Sequence, residues 1–221
     1  MPALALGVAY RILPTMQNII NFFTIGGFFM IPLLFCSLIS LTVIIERFSA
    51  LARSRVLGTR LPGLIEAEDF SNNDLERASQ REKTTLSRLV REIFTRKFNT
   101  RDEALEHLRT TARRETNRME RGLVVLEIVA ALAPLLGLLG TVSGLVTVFG
   151  NIGPDELGEK GVEVARGISE ALTTTIAGLV IAIPSLVCWN LLSRKIDTLT
   201  AELEHLLQVA INQPQHPAKQ K

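Results

Sequence analysis

The chain has 221 residues, 47% of them apolar and 21% charged, with 24 Lys and Arg against 22 Asp and Glu. A positive mean hydropathy is too apolar for an ordinary soluble domain, and a net charge of +2 implies no bulk attraction to nucleic acid. The sequence shows no glycine-rich phosphate loop, no metal-binding cluster of Cys or His and no nucleophile beside a plausible base, so neither an enzyme, a cofactor nor a metal is expected.

The apolar residues fall in three blocks. They predict an all-α integral membrane protein with three transmembrane helices, the long helices extending into a helical cytoplasmic domain. Residues 1–20 form a short periplasmic arm that carries only Arg11 and lacks the features of a cleaved signal peptide, so it is expected to be retained. Residues 21–45 are the first span, in which Pro32 is tolerated because neighbouring helices can satisfy the freed carbonyl. The span ends at Glu46-Arg47, with Arg53, Arg55 and Arg60 close behind, which places the N-terminus outside the cytoplasm by the positive-inside rule.

Residues 46–122 hold 17 Lys or Arg against 13 Asp or Glu and read as a helical cytoplasmic domain broken at Leu61-Pro62-Gly63 and Ser71-Asn72-Asn73. Thr100 and Glu103 suggest a capping box, from which one helix should run on into the second span, residues 123–149. The charge run Arg113 to Arg121 reads as a solvated helix face beside the membrane, with lipid headgroup contact as a secondary role. Residues 150–164 form a periplasmic loop with Gly153-Pro154 as a turn and an acidic balance. Residues 165–192 are the third span, returning to Arg194-Lys195, and residues 193–221 are a cytoplasmic amphipathic helix and a tail broken by Pro214 and Pro217. Cys36 and Cys188 lie inside apolar spans and read as small core residues.

Glu170 stands at the mouth of the third span. Desolvating a carboxylate is costly, so an intramembrane Glu marks an ion path by default; a headgroup-level residue paired with Arg166 is the plain alternative. Stepping by threes and fours from Glu170 gives Gly167, Ala171, Thr174, Gly178, Ala182 and Ser185, a small and hydroxyl stripe that turns the carboxylate toward other helices. On the second span Gly137, Gly140, Thr141, Gly144, Thr147 and Val148 form a similar stripe. The two could pack together, with Thr141 serving either packing or a shared cavity. Because one chain cannot cover both sides of each stripe, a homo-oligomer held by its spans is expected. Glu127, a turn from the cytoplasmic edge, reads as an interfacial or protein-buried structural carboxylate, or as an inner proton exit.

The block Ala133 to Val142, with Gly167-Ile168-Ser169-Glu170-Ala171-Leu172 and Ala182-Ile183-Pro184, resembles the MotA/TolQ/ExbB proton channel family, and within it the ExbB and then the TolQ branch. The likeness is close from Arg113 to Arg194, while the three-span order with a long inner loop extends it to almost the whole chain. It implies a pentamer in the bacterial inner membrane whose second and third spans line a pore, around a dimer of a single-span ExbD- or TolR-like partner with a membrane Asp. On the same likeness Glu170 is the pore glutamate, Thr141 and Thr175 are pore threonines, and Thr174 lies beside them on the proton pathway. Gly137, Gly140, Gly144 and Gly178 are helix-packing or pore-lining positions. The implied activity is to couple the proton motive force to a TonB-like transducer and outer-membrane transport, or to a TolA-like one for envelope maintenance and cell division. A non-conducting membrane scaffold is the alternative from another class. Ser143 departs from a frequent Trp and Glu127 from a frequent small or apolar residue.

Overall fold

The computed structural model describes residues 27–67, 72–96, 98, 100–150 and 161–212. The expected N-terminal arm, the first residues of span one, most of the expected outer loop and the proline-broken tail lie outside them. The described residues form helices without strands: α1 (Met30–Ala50), α2 (Arg53–Val56), α3 (Leu61–Glu66), α4 (Asn72–Arg81), α5 (Thr85–Thr95), α6 (Arg101–Glu120), α7 (Leu123–Gly150) and α8 (Gly161–Asn212). Three helical stretches, Met30–Ala50, Asp102–Gly150 and Gly161–Ile211, are long and apolar enough to cross a membrane. The chain divides into two compact units, residues 1–42 with 126–187, and residues 43–125 with 188–221.

In the first unit, α1 begins after a turn in which Gly27, at φ +67°, accepts from Met30 N at 3.1 Å. Pro32 is therefore the third residue of α1 and not a mid-span residue. The first N–H groups of a helix have no partner within it, so the ring removes no hydrogen bond and no neighbouring helix is needed. The core of this unit is small: Met30, Leu33, Ala133, Ala177 and Ala182 are buried, with Leu136 and Ile181 packed against them. The bulky side chains Leu135, Leu138, Val146, Val180 and Ile183 point outward. This inverts the pattern of a water-soluble bundle, because lipid tails cover apolar surface and close backbone packing is left to small residues.

The two small stripes meet each other within the chain. A Cβ on Gly137 would lie 2.8 Å from the Thr174 carbonyl oxygen, one on Gly140 2.7 Å from Thr174 Oγ1, and one on Gly144 2.9 Å from Ala171 Cβ. On the opposing helix, a Cβ on Gly178 would lie 2.5 Å from the Ala133 carbonyl oxygen. The two stripes thus pack against each other, as their likeness suggested: α7 and α8 cover one side of one another. A buried contact of 2.6 Å between Ser40 Oγ and Ser185 Oγ ties α1 to α8, while Ser185 Oγ lies 2.7 Å from the Ile181 carbonyl.

The second unit packs as a water-soluble bundle does. Leu86, Leu89 and Val90 bury one face of α5, and Ala104, Leu108 and Ala112 bury one face of α6. The last part of α8 buries Ile196, Leu199, Leu203, Leu206 and Leu207. Leu61-Pro62-Gly63, expected as a break, opens α3 instead, with Pro62 in the first turn where its fixed φ suits a helix. Thr100 Oγ1 accepts from Glu103 N at 3.3 Å. A reciprocal capping box forms at Thr84 and Ser87, with Ser87 N to Thr84 Oγ1 at 3.2 Å and Thr84 N to Ser87 Oγ at 3.0 Å. Polar links join the helices: Arg88 to Glu115 at 2.9 Å, His107 to Glu92 at 2.8 Å, Thr116 to Thr200 at 3.1 Å, and Arg53 to Glu202. Hydrogen bonding to Glu202, and then its charge, raises the Arg53 pKa above its ordinary value. The helix expected to run from near Arg101 into the second span is found as the stretch Asp102–Gly150, carrying a two-residue turn at Arg121 and Gly122 between α6 and α7.

Candidate functional site

Where α7 leaves its glycines and α8 begins, the first unit opens into a cleft of ≈ 450 Å³. Gly27, Phe28 and Phe29 line it beside α1, Gly140, Ser143, Gly144, Thr147 and Val148 on α7, and Glu163, Arg166, Gly167, Glu170, Ala171 and Thr174 on α8. The cleft exists because small residues leave room on both helices while two phenylalanines wall the α1 side. Among the described residues its charged groups come from α8. Arg166 Nε lies 3.4 Å from Glu170 Oε1, with side chains 78% and 43% exposed. The two residues that the sequence left open as a pair are thus paired in the single chain. An ion pair this exposed holds its partners weakly, so it is an arrangement that another charge or a proton can displace.

Glu163, which the sequence reading placed in a loop, lies on α8 in the same cleft, one turn before Arg166. The spacing 163, 166, 167, 170, 171 and 174 was the available signal: it is one helical face continued past the assumed end of the span.

The threonines divide. Thr174 lines the cleft, is buried, and donates to the Ala171 carbonyl at 2.5 Å. Thr141 is buried on α7 and donates to the Leu138 carbonyl at 2.7 Å, outside the cleft lining. Thr175 lies five residues beyond Glu170, about 140° around the helix axis, and does not line the cleft either. Its Oγ1 is buried and has no hydrogen-bond partner. Thr173 and Thr174, by contrast, bond back to carbonyls of their own helix. A buried hydroxyl without a partner carries a cost that a water or a second chain could relieve.

Glu127 is exposed on α7. The contact between Gly178 and Ala133 sets the antiparallel register, and six residues on from each stand Glu127 and Pro184. Ser185 to Leu192, about 12 Å of helix, still continue past that level. This chain does not bury Glu127. The serine pair 40 and 185 is a further polar feature that the sequence only half disclosed: Ser185 belonged to the stripe, while Ser40 had no visible partner.

A family model described as the MotA/TolQ/ExbB proton channel family matches residues 73–205. An ExbB-like biopolymer transport protein of Synechocystis sp. is 33% identical over 218 residues, covering 90% of this chain and 83% of that protein. The biopolymer transport protein exbB1 of Vibrio cholerae is 39% identical over 100 residues, covering 42% of this chain and 41% of its own length. The ExbB of Aquifex aeolicus is 37% identical over 105 residues, 46% of this chain and 67% of that protein. The family match spans α7, the cleft walls on α7 and α8 and most of α8, and with the near full-length relative it shows that this membrane protein belongs to the MotA/TolQ/ExbB proton channel family.

Proposed function

We propose that the chain is a stator subunit of the bacterial inner membrane, ExbB-like, that couples the proton motive force to work on a single-span partner carrying a membrane Asp. In this reading the N-terminus is periplasmic and the second unit cytoplasmic, as the arginines after span one require. The partner is ExbD- or TolR-like and drives a TonB-like transducer for outer-membrane transport. A TolQ-like role with a TolA-like transducer in envelope maintenance and cell division is the neighbouring alternative. The single observation that carries the proposal is Glu170, a half-exposed carboxylate opening on a cleft between membrane helices. Taking up a proton removes its charge penalty and changes which arrangement of a docked partner is favoured. Thr141, Thr174 and Thr175 would extend a hydroxyl path, and Glu127 would release protons on the inner side. The test is proton flux in vesicles holding the chain and its single-span partner. Flux should require both proteins and an imposed gradient; identical flux in vesicles without the chain would refute the proposal.

A non-conducting scaffold is favoured by one observation, the Arg166–Glu170 pair, which balances the carboxylate without any proton. Thr141→Val and Thr175→Val separate the two readings, since each keeps shape and removes the hydroxyl. On the channel reading both lose flux several-fold while assembly persists; wild-type flux in both would leave the threonines as packing residues.

The assembled species is expected to be a homopentamer. Its support is the family likeness, with exposed Glu127 and the unpartnered buried hydroxyl of Thr175 as polar groups that a second chain would cover. Native mass spectrometry from mild detergent should give the mass of five chains of 24.4 kDa, and a monomer that sustains flux would overturn the expectation.

A further inference from the structure

Between α6 and α7 stand only Arg121 and Gly122, and Arg121 keeps helical dihedrals, φ −50° and ψ −37°. Neither residue is proline; interruptions without one arise at glycine, at a π-bulge or where a side chain or water enters the ladder, and here Gly122 and a side chain coincide. A side chain from α1 meets the junction. Arg47 Nη1 donates to the Met119 carbonyl at 3.4 Å, and Nη2 lies 3.6 Å from Glu46 Oε1. The Arg47 side chain is only 18% exposed. A Cβ on Gly122 would collide with Arg47 Nε and lie 2.6 Å from Cζ, so the guanidinium fills the space that any other side chain at 122 would take. Arg47 Nε is itself buried with no hydrogen-bond partner. The guanidinium is thus held by the Met119 carbonyl and the Glu46 carboxylate in a site that leaves Nε without a partner.

We propose that Arg47 is the positioning residue of this junction. It takes the Met119 carbonyl, which in an uninterrupted helix would serve Leu123 N–H, and places its charge at the negative end of the α6 dipole. It thereby holds α6 and α7 as two segments. The inference rests on local geometry and is independent of the proton-channel reading.

Hydrogen–deuterium exchange of the full chain in nanodiscs tests it. With Arg47→Met the donor is lost and bulk is kept, so the ladder can close across the junction; the amides of residues 122–126 should exchange roughly tenfold more slowly, the scale of one added hydrogen bond. Arg47→Lys keeps the charge and one donor and should restore the wild-type rate. Gly122→Ala displaces the flexible guanidinium and should slow the same amides, while residues 72–95 stay unchanged in every variant. Unchanged or faster exchange in both Arg47→Met and Gly122→Ala would overturn the proposal, because a residue that merely braces the fold loosens the junction when removed.

Discussion

Glu170→Gln is expected to abolish partner-dependent proton flux while leaving the oligomer assembled. Gln keeps the size and the polar contacts of the side chain but cannot titrate. The loss of its pairing with Arg166 should matter little to assembly: at 78% and 43% exposure the pair is worth at most about 1 kcal/mol. Glu170→Asp keeps the charge and shortens the reach by one methylene, so it should retain part of the flux. Flux and native mass are to be measured on the same membranes. Full flux in the Gln variant would leave Glu170 as an end-of-span residue paired with Arg166, and the scaffold reading would stand in its place.

The elements that could be read from the sequence are those whose physics is local. Three apolar blocks of spanning length, a basic residue cluster after the first and the 3.6-residue periodicity in the polar region give three membrane helices and a helical unit without any tertiary information. The capping role of Thr100 was visible for the same reason. The box at Thr84 was not, because the usual signature asks for Glu or Gln at the third position, whereas Ser87 serves there, held by burial against its own turn. Pro62 was misread as a breaker because proline ends helices and also starts them, and only the chain direction beyond it decides which.

At the site, the stripes showed which residues would meet other helices, and that the two could meet each other, but not which atoms would touch. Spacing is a property of one helix, and the partner of Gly178 is the carbonyl of Ala133, an atom every residue carries. The packing of the two stripes together could be suggested from their likeness, but the register of that contact could not. Glu163 was missed through a loop boundary drawn at the turn signal instead of at the end of the helical face.

Gly178→Ala should destabilise the membrane unit more than any other single methyl addition on the two stripes. In an isolated helix the change would help, by up to about 1 kcal/mol of helix propensity. Here the added Cβ would sit 2.5 Å from the Ala133 carbonyl oxygen and 3.3 Å from Gly137 Cα, both backbone atoms of a packed helix that cannot swing aside as a side chain can. Overpacking of this kind costs roughly 1–3 kcal/mol, so it outweighs the propensity gain. The helices must separate, and with them the α7–α8 contact on which the cleft below Glu170 is built. Gly144→Ala meets Ala171 Cβ at 2.9 Å and should be milder, because its principal neighbour is a side-chain methyl. Gly150→Ala meets nothing within 4 Å and is the control, expected to be neutral or slightly stabilising. Thermal unfolding of the three variants in one detergent should rank them in that order. Equal melting temperatures for Gly178→Ala and Gly150→Ala would mean that α7 and α8 are not held at this distance in the membrane.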